Sequence, residues 1–219
     1  MKDILLFIFL VKNKGIIMLE PKDGLITFRS EGNNIPKSIF FTRVIHWPGN
    51  IRSCSSSLGA SGVTIGRGYD MKHRYPSQII HDLTRSGIPH LQAKKISLGA
   101  RLHHCSALDF VNKNREIIGE ITESQQLKLF EITYASYVSD AKRFYARYRS
   151  STSLDWGEID LRIRDIFIDL KYQGLLQKID ILEFESNNIN NVIKFIKESP
   201  KIMYYEKNRK RINYLTGDY

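Results

Sequence analysis

From position 76 onward, apolar residues recur at three- and four-residue steps, the spacing of one helical face. The pattern is plainest in Leu127, Phe130, Tyr134, Tyr137, Val138, Ala141 and Tyr145. These follow the capping box Thr122-Glu-Ser-Gln125 and predict a long amphipathic helix. Two shorter helices are expected ahead of it, one between Pro76 and Gly87 and one between Pro89 and Gly99. Behind it, Ile159, Ile163, Ile166, Phe167 and Leu170 mark another, stopped by Gly174. Two more are expected over 191–197 and 204–215, ended by Pro200 and Gly217. The middle of the chain reads differently. Ser38 to Trp47 is rich in β-branched and aromatic residues and stops at Pro48-Gly49. Beyond a Ser/Gly-rich loop at 54–61, Val63 to Gly68 reads as a second short strand, so a hairpin or small sheet is expected within 38–70. The fold class that results is α+β, mostly helical.

The N-terminal run Ile4 to Val11 is apolar but far shorter than the ~20 residues that span a bilayer. Lys12, Asn13 and Lys14 stand where the small residues of a signal-peptide cleavage site would lie. Residues 1–22 therefore read as an extension with three open roles: a short signal, a strand, or a stretch ahead of a start at Met18.

The 219 residues are 42% apolar and 26% charged, enough for one ordinary domain or two small lobes with a real core. Lys and Arg number 33 against 23 Asp and Glu, and the net charge of +10 points to an anionic partner. Charge alone does not choose between nucleic acid, a membrane surface and wall polymers. Two cysteines, Cys54 and Cys105, exclude a disulfide framework and offer no zinc spacing; a single bond between them stays open. His103, His104 and Cys105 are adjacent and would fan around a helix, so no metal and no cofactor is expected.

Candidate chemistry begins at Ser30-Glu31-Gly32, after the apolar stretch Leu25 to Phe28. A glycine closing a short helix leaves the preceding carboxyl at the negative helix end, an environment that suits a general acid when a hairpin covers it. Further on, Ser61-Gly-Val-Thr-Ile-Gly-Arg-Gly-Tyr-Asp70 combines a hydroxyl at Thr64 with glycines that admit a close neighbour. It is neither a phosphate loop nor a dinucleotide turn.

These segments, in this order, resemble the phage-type (T-even-like) lysozymes, in which a catalytic Glu-Gly precedes a hairpin bearing a Thr-Ile-Gly strand. Ile121 to Phe130 is similar to the start of that family's interlobe helix, Asp165 to Gly174 to its central helix, and Asn208 to Gly217 to its C-terminal basic helix. The likeness runs over 24–219 and is closer to the pesticin-like lysozyme domain of antibacterial toxins and effectors, whose Thr strand runs on to an Asp; Asp70 stands there. One departure matters. The phage pattern places a second catalytic Asp between the Glu and the Thr strand, and Gly32 to Tyr69 contains neither Asp nor Glu.

The resemblance implies a lysozyme-like fold, with a hairpin lobe over 23–121 and a helical lobe over 122–219 that begins with the interlobe helix. It implies a bacteriolytic peptidoglycan hydrolase that cleaves the β-1,4 bond between N-acetylmuramic acid and N-acetylglucosamine. In that scheme Glu31 is the general acid, Thr64 positions the attacking water, and Asp70 polarises it or stabilises the oxocarbenium-like centre. His46 is a second candidate for the base or a cleft residue. Arg67, Tyr69, Tyr172 and Gln173 bind substrate, and Arg209, or Lys207 beside it, pairs with Glu31. The implied partners are bacterial peptidoglycan and a cognate immunity protein, with no nucleic acid and no membrane span, and the implied site of action is the bacterial periplasm or cell wall. Two alternatives stand beside it. One is a lysozyme-like domain that binds glycan without cutting it. The other is a basic nucleic-acid-binding helical module, suggested by Lys142, Arg143, Arg147 and Arg149 among Phe144, Tyr145 and Tyr148.

Overall fold

The computed structural model describes residues 19–49, 54–55 and 61–219. The expectations for 1–18 and for most of the loop at 54–61 lie outside the described residues. The chain divides into two compact units, one of residues up to Asp23 with Glu31–Thr133, the other of Gly24–Ser30 with Tyr134–Tyr219. The division runs within a long helix, after Thr133, and gives the short segment ahead of Glu31 to the second unit. The architecture is mostly helical with one two-stranded antiparallel sheet among the described residues. No helix there is long and apolar enough to cross a membrane.

The first unit is organised by three triplets of the form apolar-polar-apolar. Ile45, Trp47, Val63, Ile65, Tyr69 and Met71 are all buried in one core cluster, while His46, Thr64 and Asp70 alternate with them. Strands β1 (Thr64–Ile65) and β2 (Tyr69–Asp70) pair antiparallel, and His46 adds a third short edge through a bridge to Thr64. Gly66 and Gly68 turn the hairpin at φ +62° and +82°, values a side chain resists. The remainder of Ser38 to Trp47 is not a strand. The Ser38 hydroxyl accepts from Phe40 N–H at 3.1 Å and from Asn33 Nδ2 at 3.0 Å, so local turn chemistry overrides the β propensity, and Ile39 and Phe40 are left exposed.

Helices α2 (Pro76–Arg85) and α3 (His90–Ser97) pack together and are opened by the prolines the sequence offers. Helix α4 (His104–Ile118), which the sequence reading did not anticipate, buries Ala107, Val111 and Ile118 and starts without a side-chain cap. A disulfide joins Cys54 to Cys105 in its first turn, with Cα atoms 5.0 Å apart. The capping box that opens α5 (Glu123–Tyr148) is formed, Gln125 N–H donating to Thr122 Oγ1 and Thr122 N–H to Gln125 Oε1.

The second unit packs α1 (Leu25–Ser30) against α6 (Leu161–Tyr172) and α9 (Pro200–Arg209). Its centre is a run of ring contacts from Tyr145 and Trp156 through Phe167 to Phe184, the last on α7 (Ile181–Glu185). Helix α8 (Ile189–Glu198) is followed at once by α9, so Pro200 opens a helix instead of only ending one. The helix expected over 204–215 is two: Lys210 adopts φ +54° and α10 (Arg211–Thr216) begins after it, with Ile212 N–H held by Glu206 Oε1 at 2.7 Å.

Candidate active site

The sheet of the first unit collects three of the residues singled out by sequence. His46 and Thr64 exchange both backbone hydrogen bonds at 2.8 Å, and Thr64 faces Asp70 in register across the hairpin. Residues directly opposite in antiparallel strands project to the same face. His46, Thr64 and Asp70 therefore form one polar row on the side away from the core. The Thr64 hydroxyl, in a residue only 3% exposed, donates to the Gly62 carbonyl at 3.3 Å. Its lone pairs stay available to a donor. The Asp70 carboxylate accepts Gly62 N–H at 3.2 Å and Lys72 N–H at 2.7 Å, which brackets the hairpin.

Glu31 is half-buried in the turn after α1. Gly32 follows at φ +133°, and a Cβ there would lie 2.4 Å from Thr42 Cγ2 and 2.8 Å from the Phe40 carbonyl oxygen, so the position admits glycine alone. The Gly32 carbonyl accepts a hydrogen bond from Arg67 Nη1, which ties the hairpin turn to the residue next to Glu31. Arg67 Nη2 also reaches Asn34 Oδ1 at 3.5 Å, Gln126 Nε2 donates to the same oxygen at 2.6 Å, and Thr42 Oγ1 donates to Gln126 Oε1 at 2.8 Å. Burial lowers the Arg67 pKa to about 10, while the charges of Glu31 and Glu123 pull it upward. The guanidinium is thus charged at neutral pH.

His46 keeps some exposed surface, and burial of its ring sets its pKa below the ordinary 6.5. The backbone hydrogen bond to Val44 and the charge of Asp70 raise it, and the charge of Arg115 lowers it. Nδ1 lies 3.1 Å from the Val44 carbonyl oxygen.

Arg67 is 2% exposed and directed at backbone and amide oxygens, so it is a strut for the Glu31 segment and offers no surface to a sugar. Tyr69 is 1% exposed on the core side of β2, its hydroxyl donating to Asp82 Oδ2 at 2.8 Å. Both are buried side chains that bond to the protein's own polar groups. Tyr172, Gln173 and Arg209 belong to the second unit. There Tyr172 stacks on Tyr137 with ring centroids 4.3 Å apart, and Gln173 Oε1 accepts from Arg211 Nη2. Arg209 Nη1 lies 2.6 Å from one oxygen of the fully buried Asp169, and Arg211 Nε lies 2.8 Å from the other. A cavity of about 760 Å³ in the same unit, lined by Arg29, Glu206, Lys207, Lys210 and others, includes none of Glu31, His46, Thr64 and Asp70. In the basic aromatic stretch at 142–149, Tyr145 is fully buried with its hydroxyl on the Leu154 carbonyl and Arg149 pairs with Asp155, while Lys142, Arg143 and Arg147 are exposed.

Sequence reasoning missed Thr42, Asn34 and Gln126, whose amides and hydroxyl hold the Glu31 segment and the hairpin together. No motif marks them; Gln126 follows directly on the capping box, whose signal is carried by its neighbour Gln125. No group of three or more metal-ligating side chains occurs among the described residues. Residues 24–209 match the model of a family described as a domain of unknown function, DUF8812, and the chain belongs to that family. No curated protein matches the chain.

Proposed function

We propose that this DUF8812 member is a lysozyme-like peptidoglycan hydrolase that cuts the β-1,4 bond between N-acetylmuramic acid and N-acetylglucosamine. Glu31 gives its proton to the leaving glycosidic oxygen, and a water held by Thr64 attacks the anomeric carbon from the opposite face, with Asp70 supplying negative charge beside it. The observation that carries this reading is the Arg67 bond to the Gly32 carbonyl. It joins the segment of a carboxylic acid to the hairpin whose next strands present Thr64 and Asp70 in register. The net charge of +10 fits a polyanionic wall, where a positive surface raises encounter rates. The Cys54–Cys105 bond fits an oxidising destination such as the bacterial periplasm or cell wall.

A second reading has one observation in its favour. Both Asp70 oxygens already accept backbone N–H groups, which suits a hairpin that binds glycan without cutting it.

Incubation of the pure protein with peptidoglycan sacculi, read by mass spectrometry, decides between them. New reducing ends at N-acetylmuramic acid are expected from the wild type, and Glu31→Gln is expected to lower their release by at least about 100-fold with the fold unchanged. Retention on sacculi without fragments would establish the second reading.

A further inference from the structure

The polar row carries a residue the lysozyme pattern does not use. We propose that His46 is the general base: its Nε2 takes the proton of the water that Thr64 holds. The assignment rests on the hydrolase reading above and fills the place left by the missing acid between Gly32 and Tyr69.

Three observations converge on it. First, His46 and Thr64 are a hydrogen-bonded cross-strand pair, so their side chains leave the same face of the sheet from Cα atoms about 5.5 Å apart. A water between them is within reach of both. Second, the Val44 carbonyl can only accept, so Nδ1 carries the ring proton of the neutral imidazole and Nε2 keeps its lone pair. Third, the Thr64 hydroxyl spends its hydrogen on the Gly62 carbonyl and so receives one from the water, leaving the other water hydrogen for Nε2. Burial of the ring keeps it neutral at the pH where it must accept a proton.

The step balances without any further reactant. The water oxygen bonds to the anomeric carbon while the bond from that carbon to the leaving oxygen breaks. Glu31 protonates the leaving oxygen, His46 Nε2 takes the water proton, and solvent returns it to Glu31 afterwards. The charge of Asp70, held by its two backbone donors, stabilises the imidazolium, and the charge of Arg115 on α4 opposes it.

The test is initial-rate release of reducing ends from soluble peptidoglycan fragments across pH, with four variants. His46→Gln is expected to lower kcat by about 10²–10⁴-fold with little change in KM. Arg115→Gln is expected to keep the rate at the optimum and to move the acid limb of the profile to higher pH, because a cation that lowers the His46 pKa is gone. Asp70→Asn is expected to move that limb to lower pH. Nitrogen-15 NMR of the wild type is expected to show the Nδ1–H tautomer of His46 at neutral pH, a readout that does not depend on whether the His46 variant folds. An active wild type and an inactive Glu31→Gln, together with a His46→Gln rate within threefold of wild type, overturn the base and leave the hydrolase standing. An Nε2–H tautomer, or an acid limb unmoved in Arg115→Gln, overturns it as well. No release by the wild type removes the hydrolase reading and the base with it.

Discussion

Arg67 shows what sequence spacing leaves out. It lies in the glycine-spaced segment 61–70 that resembles the Thr strand of the phage-type lysozymes, and on that ground a contact with substrate is expected. Spacing, however, gives proximity along the chain and not the direction of a seven-atom side chain. That direction is set by Gly32, Asn34 and Gln126, which no motif foretells. Removing the guanidinium takes a donor from the Gly32 carbonyl and the longer of two donors from Asn34 Oδ1, which keeps Gln126. Arg67→Met is therefore expected to lower the unfolding free energy by about 2–4 kcal/mol, since hydrogen bonds from a buried charge exceed neutral ones. Urea denaturation measures this, and a variant as stable as wild type would show that the Glu31 segment is held by other contacts. Thr64 and Asp70 stood out by residue type and order, but Val63 to Gly68 reads in sequence as one strand, and the turn over 66–68 that sets Thr64 opposite Asp70 came only with the structure.

At the scale of elements, punctuation explains what was readable. Pro76, the Thr122–Gln125 box and Gly174 each stop or start a helix through their own backbone chemistry, and those boundaries are found within a residue or two. Helix α4 has no such signal: His103 precedes it in extended backbone without a capping side chain, and His104 enters at φ +55°. The division of 204–215 was hidden for the opposite reason, because Lys210 is a good helix former that the structure holds in left-handed backbone. The cap at Glu206 Oε1 outweighs that preference. Lys210→Gly is accordingly expected to raise stability by about 1 kcal/mol, the left-handed penalty of a side chain being removed. A loss of stability in thermal or urea unfolding would mean that the lysine side chain does more than tolerate its conformation.

For the molecule as a whole, the disulfide and the order of the chain were beyond sequence reasoning, since both depend on which distant residues meet. Cys54 and Cys105 close a loop with a sequence separation of 51. In the chain-entropy account this restricts the unfolded state by up to about 4 kcal/mol. The double change of both cysteines to serine, or reduction of the wild type, is expected to lower the urea midpoint by a corresponding amount. An unchanged midpoint would show that the first unit's core holds the loop without the bond. The two units also share the chain unevenly: residues 24–30 are counted with a partner that begins only at Tyr134, and Glu31 comes immediately after them. On the ribosome, then, the helix leading into the proposed acid emerges early, whereas the helices it packs on, α6 and α9, are translated only after residue 160, so that piece of the second unit joins its partners late in synthesis.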